Sequence, residues 1–431
     1  MKIAIVVFQF PVISHSFILN LIAGLIDLGH DVHIHAIESK SPSDAAMHAI
    51  VSNYQLIAKT RYPSSASGGK LSRTLNLIRQ ILGNLNRGSL ACLAVLDIRQ
   101  PKYSLVLLRK ALSLLHRPQY DIIHAQFGYE GIASLKFWQL GLLQGKLITT
   151  FRGHDITGFL QHGARLNPYQ SLFKYGNYFL TNSHFFRQRV IELGCPADKV
   201  QVLYSGVDCQ KFKYRVPVFK PGQSIQVVTI GRLVEKKGIA YCIQAVAKLI
   251  QQGRKLRYLI IGDGPLKADL TELIQTLGME DVILLMGAKP QCEILEILKS
   301  SHLFVAASTT AADGDQDGPV NTLKEAMAVG LPVIGTDHGG IPELIESEVS
   351  GFLVPEKDVD AIAAQLDYLM AQPERWPILS QQARQKVEHN FAMEQVNRQL
   401  ADIYRLRLTA SPLSMAKTMD GSYSNLASML K

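Results

Sequence analysis

Short apolar runs recur along this chain, each followed by a stretch whose apolar residues return every three or four positions, and that alternation commits the chain to parallel sheets with crossover helices. A parallel pair cannot be joined by a tight turn, so each run must be followed by a long connection, and it is. The first series of runs comprises residues 3–8, 32–36, 122–125, 147–151 and 179–181. Residues 213–222 then break the pattern with Pro217, Pro221 and Gly222, as a linker would. The second series comprises residues 226–230, 258–261, 282–285, 303–306, 332–335 and 352–354. A chain of 431 residues is too long for one hydrophobic core, so the expected architecture is α/β, with two doubly wound domains over residues 1–212 and 223–395. A helical pattern runs from 376 to about 408, and residues 410–431 have no periodicity and are expected to be mobile.

At the ends of the second series the side chains change character. Gly231-Arg232-Leu233-Val234-Glu235-Lys236-Lys237-Gly238 follows one run, Gly262-Asp263-Gly264-Pro265 the next, and Asp317-Gly318-Pro319 stands eight residues before Glu325. Two cations, backbone free of side chains and two carboxylates are what a nucleotide diphosphate-sugar requires. Glycines let backbone approach the diphosphate, and carboxylates accept from ribose and sugar hydroxyls.

With Glu325-Ala326-Met327-Ala328-Val329-Gly330-Leu331-Pro332 and Gly339-Gly340-Ile341-Pro342-Glu343, these motifs resemble in order and spacing the donor side of glycosyltransferase family 4, retaining enzymes of the GT-B fold. Phe10-Pro11, Leu28-Gly29-His30-Asp31-Val32, His124-Ala125-Gln126-Phe127-Gly128 and Phe151-Arg152-Gly153-His154-Asp155 resemble its exopolysaccharide- and lipopolysaccharide-assembling subgroup, the colanic-acid type. The resemblance covers residues 1–405 and is weakest between 40 and 118. It implies two Rossmann-like domains facing across a cleft, with residues 396–409 returning as a helix to the first domain. It also implies transfer of a sugar from a nucleotide diphosphate-sugar to a glycan acceptor, lipid-linked, with retention at the anomeric carbon. The departing phosphate would take the acceptor's proton in a front-face displacement.

The resemblance assigns roles residue by residue. Arg232 and Lys237 clamp the diphosphate, with Gly231 and Gly264 giving backbone access. Glu325 accepts from the ribose and Asp317 from the donor sugar, although members of the family commonly carry Glu where Asp317 stands. His154 enters the sugar pocket from the first domain, and Glu343 orients its loop or touches the donor. An acid often stands where this chain has His15. Pro319 suits the first turn of a helix, whose free N–H groups at Val320, Asn321 and Thr322 would then point at phosphate. No cofactor and no metal ion are expected. Asp313-Gly314-Asp315 imitates the start of a calcium loop, but its twelfth position is Lys324 where a bidentate Glu is needed. His33 and His35 share a strand face without a third ligand nearby in sequence and read as structural. Two rival readings remain: a nucleotide-sugar epimerase on the same fold, and a degenerate copy that binds donor without transfer.

The net charge of +9 is concentrated in residues 59–117, where eleven cations stand against the single acid Asp97. Leu71, Leu75, Ile78, Ile81 and Leu82 recur among them at helical spacing, which favours an anionic membrane surface as partner. An ordinary solvated basic face is the other reading. No nucleic-acid motif accompanies the patch. The five cysteines are scattered and never form a Cys-x-x-Cys pair. The first apolar run is too short for a signal-peptide core. The expected location is cytoplasmic, peripheral on the inner face of the plasma membrane.

Overall fold

The computed structural model describes residues 1–12, 15–38, 49–63, 70–85, 88–96, 101–161, 167–216, 218–219 and 222–409, less the side chains of 70–73, 101 and 161. The tail from 410 onward and parts of the basic segment and of the linker therefore lie outside the described residues.

The first sheet has seven strands: β1 (Lys2–Val7), β2 (Asp31–Ala36), β3 (Thr60–Arg61), β4 (Gln119–Ala125), β5 (Gln144–Phe151), β6 (Tyr178–Thr181) and β7 (Val200–Val202). They lie in the order β3-β2-β1-β4-β5-β6-β7, and all pairs are parallel. The second has six: β8 (Ile225–Ile230), β9 (Leu256–Ile261), β10 (Ile283–Leu285), β11 (Leu303–Ala306), β12 (Val333–Thr336) and β13 (Phe352–Val354). Their order is β10-β9-β8-β11-β12-β13, again parallel throughout. Both sheets reverse direction of growth beside their first strand, at β1/β4 and at β8/β11. Such switch points open a crevice at the carboxyl ends of the strands.

Apolar runs with helices on both faces explain the burial. Ile3, Ile5, Val7, Ile34 and Ile148 pack on one side of the first sheet, and Ala4, Val6, Ile123, Leu147 and Phe179 on the other. The helix Met393–Thr409 completes the former side with Val396, Leu400, Ile403 and Tyr404. Each such fully buried aliphatic contributes about 1.5–3 kcal/mol. The last helix thus belongs to the first domain's core although it follows the second. The two chain crossings run side by side: Val207 N–H donates to Phe391 O (2.8 Å), and Met393 N–H donates to Val207 O (3.0 Å).

Two departures from the sequence reading bear on function. Strands β3 and β7, two and three residues long, escaped the pattern because Thr-Arg and Val-Gln-Val hold no continuous apolar run. Lys110, counted among the exposed cations, is buried, and its Nζ donates to Arg61 O at 2.7 Å. Burial and the neighbouring Arg61 push its pKa down to about 7, so it is not a surface charge. It lies on the buried face of the helix Pro101–Ser113, among Leu107, Leu108 and Ala111.

Candidate functional site

The loops that follow β8, β9, β11 and β12 line one wall of the crevice, and those that follow β1, β4 and β5 line the other. On the second-domain wall, Leu233 N–H donates to Asp263 O and Leu266 N–H to Leu233 O, which ties the loops after β8 and β9 together. Gly264 permits this approach, since a Cβ there would stand 2.5 Å from Leu233 O. Gly238 ends the loop in the left-handed region (φ 58°) and lies against the backbone of Ala307. The backbone therefore delivers Arg232 and Lys237 to the crevice while Leu233 stays in the core.

Lys237 Nζ donates to Asp317 Oδ2 at 2.8 Å, and Ser308 Oγ donates to the same oxygen at 2.7 Å. Burial alone would raise the Asp317 pKa. Lys237, Lys236 and the hydrogen bonds from Lys237 and Ser308 outweigh it and hold the carboxyl well below the usual range. Lys236, not singled out from sequence, is buried, with Nζ 2.8 Å from Asp315 Oδ2 and 3.5 Å from Asp317 Oδ1. Asp315 in turn accepts from Thr157 Oγ1 of the first domain at 3.0 Å. Arg232 is exposed and makes no ion pair among the described residues. Gly231 lies beneath the Lys237 stem.

The helix carrying Glu325 starts later than Pro319 suggested. It spans Asn321–Val329, with Val320 extended at its N-cap (φ −67°, ψ 119°). Pro319 instead packs on Gly340, where a Cβ would meet its ring nitrogen at 2.6 Å. The unpaired N–H groups are thereby moved to the turn that starts at Asn321. Thr322 Oγ1 is taken up by Ile230 O (2.8 Å), which pins this turn to the end of β8. Glu325 lines a cavity of about 110 Å3 with Asn321, Lys211, Gln291, Phe17 and Asn20. Burial pushes its pKa up to about 7, against Lys324 and Lys211, which pull it down. Asn321 Oδ1, buried without a partner among the described residues, lies in the same place.

On the facing wall, Asp155 holds the turn after β5 by accepting from the N–H groups of Gly128 (2.8 Å), Arg152 (3.1 Å) and Gly153 (2.9 Å). This leaves His154 exposed at the rim, beside the 313–315 loop of the other domain. Arg152 is held by Gln126 Oε1 (2.7 Å) and lies 4.5 Å from the centre of the Phe17 ring. His15 is pushed down to about 4 by burial, by Arg152 and by Arg232 from across the crevice. It is neutral at pH 7, with the guanidinium groups of Arg152 and Arg232 as its charged neighbours.

Sequence reasoning missed the residues whose partners are remote. Asp317 N–H donates to His338 Nε2 (3.0 Å), and His338 Nδ1 lies 2.6 Å from Glu356 Oε1. Glu343, left between two roles, accepts from His184 N–H (2.9 Å), Phe185 N–H (3.0 Å) and Tyr204 O–H (2.8 Å), all in the first half of the chain. Its carboxylate joins the domains. His35 bonds Tyr120 O–H (2.8 Å), a structural contact.

A family model described as "Glycosyl transferases group 1" matches residues 210–386, and one described as "Glycosyltransferase Family 4" matches residues 90–211. A putative colanic acid biosynthesis glycosyltransferase, WcaL, of Escherichia coli K12 is 35% identical over 406 residues, covering 94% of this chain and 99% of that one. The amylovoran biosynthesis glycosyltransferase AmsK of Erwinia amylovora is 38% identical over 413 residues, with the same shares. Among solved structures, Anabaena Alr3699/HepE in complex with UDP superposes with a TM-score of 0.69 at 17% identity, over 94% of this chain and 100% of that one. That likeness identifies the GT-B fold.

Proposed function

This chain belongs to glycosyltransferase family 4, as a hexosyltransferase-type enzyme, and from that premise we propose that it moves a sugar from a nucleotide diphosphate-sugar to a lipid-linked glycan with retention. The reading rests above all on one contact: a phosphate-binding type of cation, Lys237, on a sugar-binding type of carboxylate, Asp317, at 2.8 Å, with Arg232 in the same loop as Lys237 and in no ion pair among the described residues. In the donor complex the diphosphate draws Arg232 and Lys237, and the carboxylate of Asp317 accepts from the sugar. The cations offset charge on the leaving phosphate as the sugar–oxygen bond breaks, and make a metal ion unnecessary. The acceptor hydroxyl forms the new bond to the anomeric carbon on the same face, and its proton passes to the departing phosphate. Glu325 and the Asn321 turn take the ribose side, while His154 closes over the sugar. The epimerase alternative has no support among the named relatives, which are glycosyltransferases along almost their whole length.

The acceptor approaches over the first domain. Phe127 and Tyr129 stack at 5.5 Å, Phe159 meets Tyr129 at 5.8 Å and His15 meets Phe127 at 5.6 Å, forming an aromatic wall next to His154 suited to pyranose faces. Beyond it, Leu75, Ile78, Leu82, Leu90 and Leu105 are exposed, with Arg79, Lys102 and Arg117 exposed among them. Such a face fits an anionic bilayer. No described helix is long and apolar enough to cross a membrane, and attachment at the cytoplasmic face is the reading the free cysteines favour.

The test is a panel of nucleotide diphosphate-sugars scored by thermal stabilisation. One of them at a hundred times its dissociation constant stabilises the protein by about 2.7 kcal/mol, with excess chelator present. Lys237→Ala abolishes the shift. Stabilisation by none, or by metal addition only, overturns the reading.

A further inference from the structure

We propose that His338 and Glu356 form a positioning pair that fixes the reach of Asp317 toward the donor sugar, an inference that rests on the sugar-binding role of Asp317. A short carboxylate reaches only as far as its backbone allows, so its main chain must be held. Asp317 is held on both sides: its N–H donates to His338 Nε2 at 3.0 Å, and its carbonyl accepts from Gly340 N–H at 3.2 Å. An Nε2 that accepts carries no proton. The ring proton is therefore on Nδ1, which donates to Glu356 Oε1 at 2.6 Å.

Glu356 is built to keep it there. Its Oε2 accepts from Thr309 Oγ1 and Thr310 N–H, both at 2.8 Å. Burial would raise its pKa, but Thr310, His338 and Thr309 outweigh burial and hold it below the usual carboxylate value. An ionised carboxylate only accepts, so it selects the Nδ1–H tautomer. His338 is 2% exposed, which leaves no room for water to take over its bond to Asp317. The same loop is closed by Gln316 Nε2 donating to Thr310 Oγ1 at 3.1 Å.

The tautomer gives the test. His338→Ala lowers kcat on the order of 10²-fold, because a small displacement of a positioned group costs that much. Its affinity for the nucleotide diphosphate without sugar falls far less than kcat, since of the diphosphate and ribose contacts only Lys237 touches Asp317. His338→Gln, which can place an acceptor where Nε2 stood, restores part of the rate. Glu356→Gln is worse than Glu356→Ala: its amide can donate to Nδ1 and force the proton onto Nε2, facing the Asp317 N–H. Nitrogen-15 spectra of the full chain show the Nδ1–H tautomer for wild type and its loss in Glu356→Gln. Unimpaired kcat in His338→Ala, or Glu356→Gln outperforming Glu356→Ala, overturns the pair. Asp317→Ala separates the two levels: if it transfers at the wild-type rate, the sugar-site reading itself fails. If it is inactive while His338→Ala is unimpaired, only the positioning pair falls.

Discussion

Glu325 and Lys324 are neighbours in one helix, and both are shifted to about 7 by burial, the acid upward and the base downward. Lys324 donates to Ser205 O and lies 5.5 Å from the centre of the Phe391 ring, so it serves the crossing between domains. For Glu325 the folded pKa lies above the unfolded value of 4.5, so the folded state binds more protons between 4.5 and about 7, and stability falls as pH rises through that window. Glu325→Gln removes that dependence. Its stability relative to wild type, measured by urea unfolding of the ligand-free protein, should increase as pH rises from 4.5 to about 7 and level off above. For binding the sign is opposite: only the ionised form accepts from ribose hydroxyls at both oxygens, so wild-type nucleotide affinity should weaken as pH falls below about 7, and calorimetry should find Glu325→Gln flat. Arg232, Lys237, Asp317 and Glu325 could be singled out from sequence because each stands in a short motif whose chemistry is local. Lys236, His338 and Glu356 could not, because their roles are set by partners brought in by the sheet order: Lys236 reaches Gln316 O across 80 residues of chain.

Most strands announced themselves by short apolar runs, the three-residue β10 and β13 among them, since a parallel strand buried on both faces needs no alternation. β3 and β7, the edges of the first sheet, hold only Thr-Arg and Val-Gln-Val and offer no such run, and the start of the Asn321–Val329 helix was misplaced because Pro319 serves a contact with Gly340 instead of the first turn. The loops behave as elements in their own right. Gly264→Ala would drive a methyl group into Leu233 O, and backbone cannot yield as a flexible side chain does. The cost should be about 1–3 kcal/mol of stability, visible as an earlier urea midpoint, together with weaker nucleotide binding because the Arg232 and Lys237 loop shifts with Leu233. Unchanged affinity in a correctly folded variant would separate the β9 loop from the site.

Across the whole molecule, the two domains are joined by paired chain crossings, by Glu343 on the helix His184–Glu192, and by Arg384, which donates to Phe212 O, Ala328 O and Cys209 O. The last helix and the first sheet share a core, an arrangement that no local pattern encodes and that only the family resemblance anticipated. The face of the first domain built from the helices Lys70–Leu82 and Pro101–Ser113 should bind vesicles containing anionic lipid, each cation near the surface contributing about 1 kcal/mol. Leu75→Glu with Arg79→Glu should reduce cosedimentation, and raising ionic strength should release the wild type. Equal binding by the variant would make the face an ordinary solvated one. Product analysis after incubation with the stabilising nucleotide sugar and a membrane-lipid glycan extract, in excess chelator, should give equimolar nucleotide diphosphate and glycosylated acceptor. The anomeric configuration of the donor should be retained by proton NMR, and no product should form with Asp317→Ala. An inverted linkage, an isomerised nucleotide sugar, or equal turnover by Asp317→Ala would contradict the proposed function.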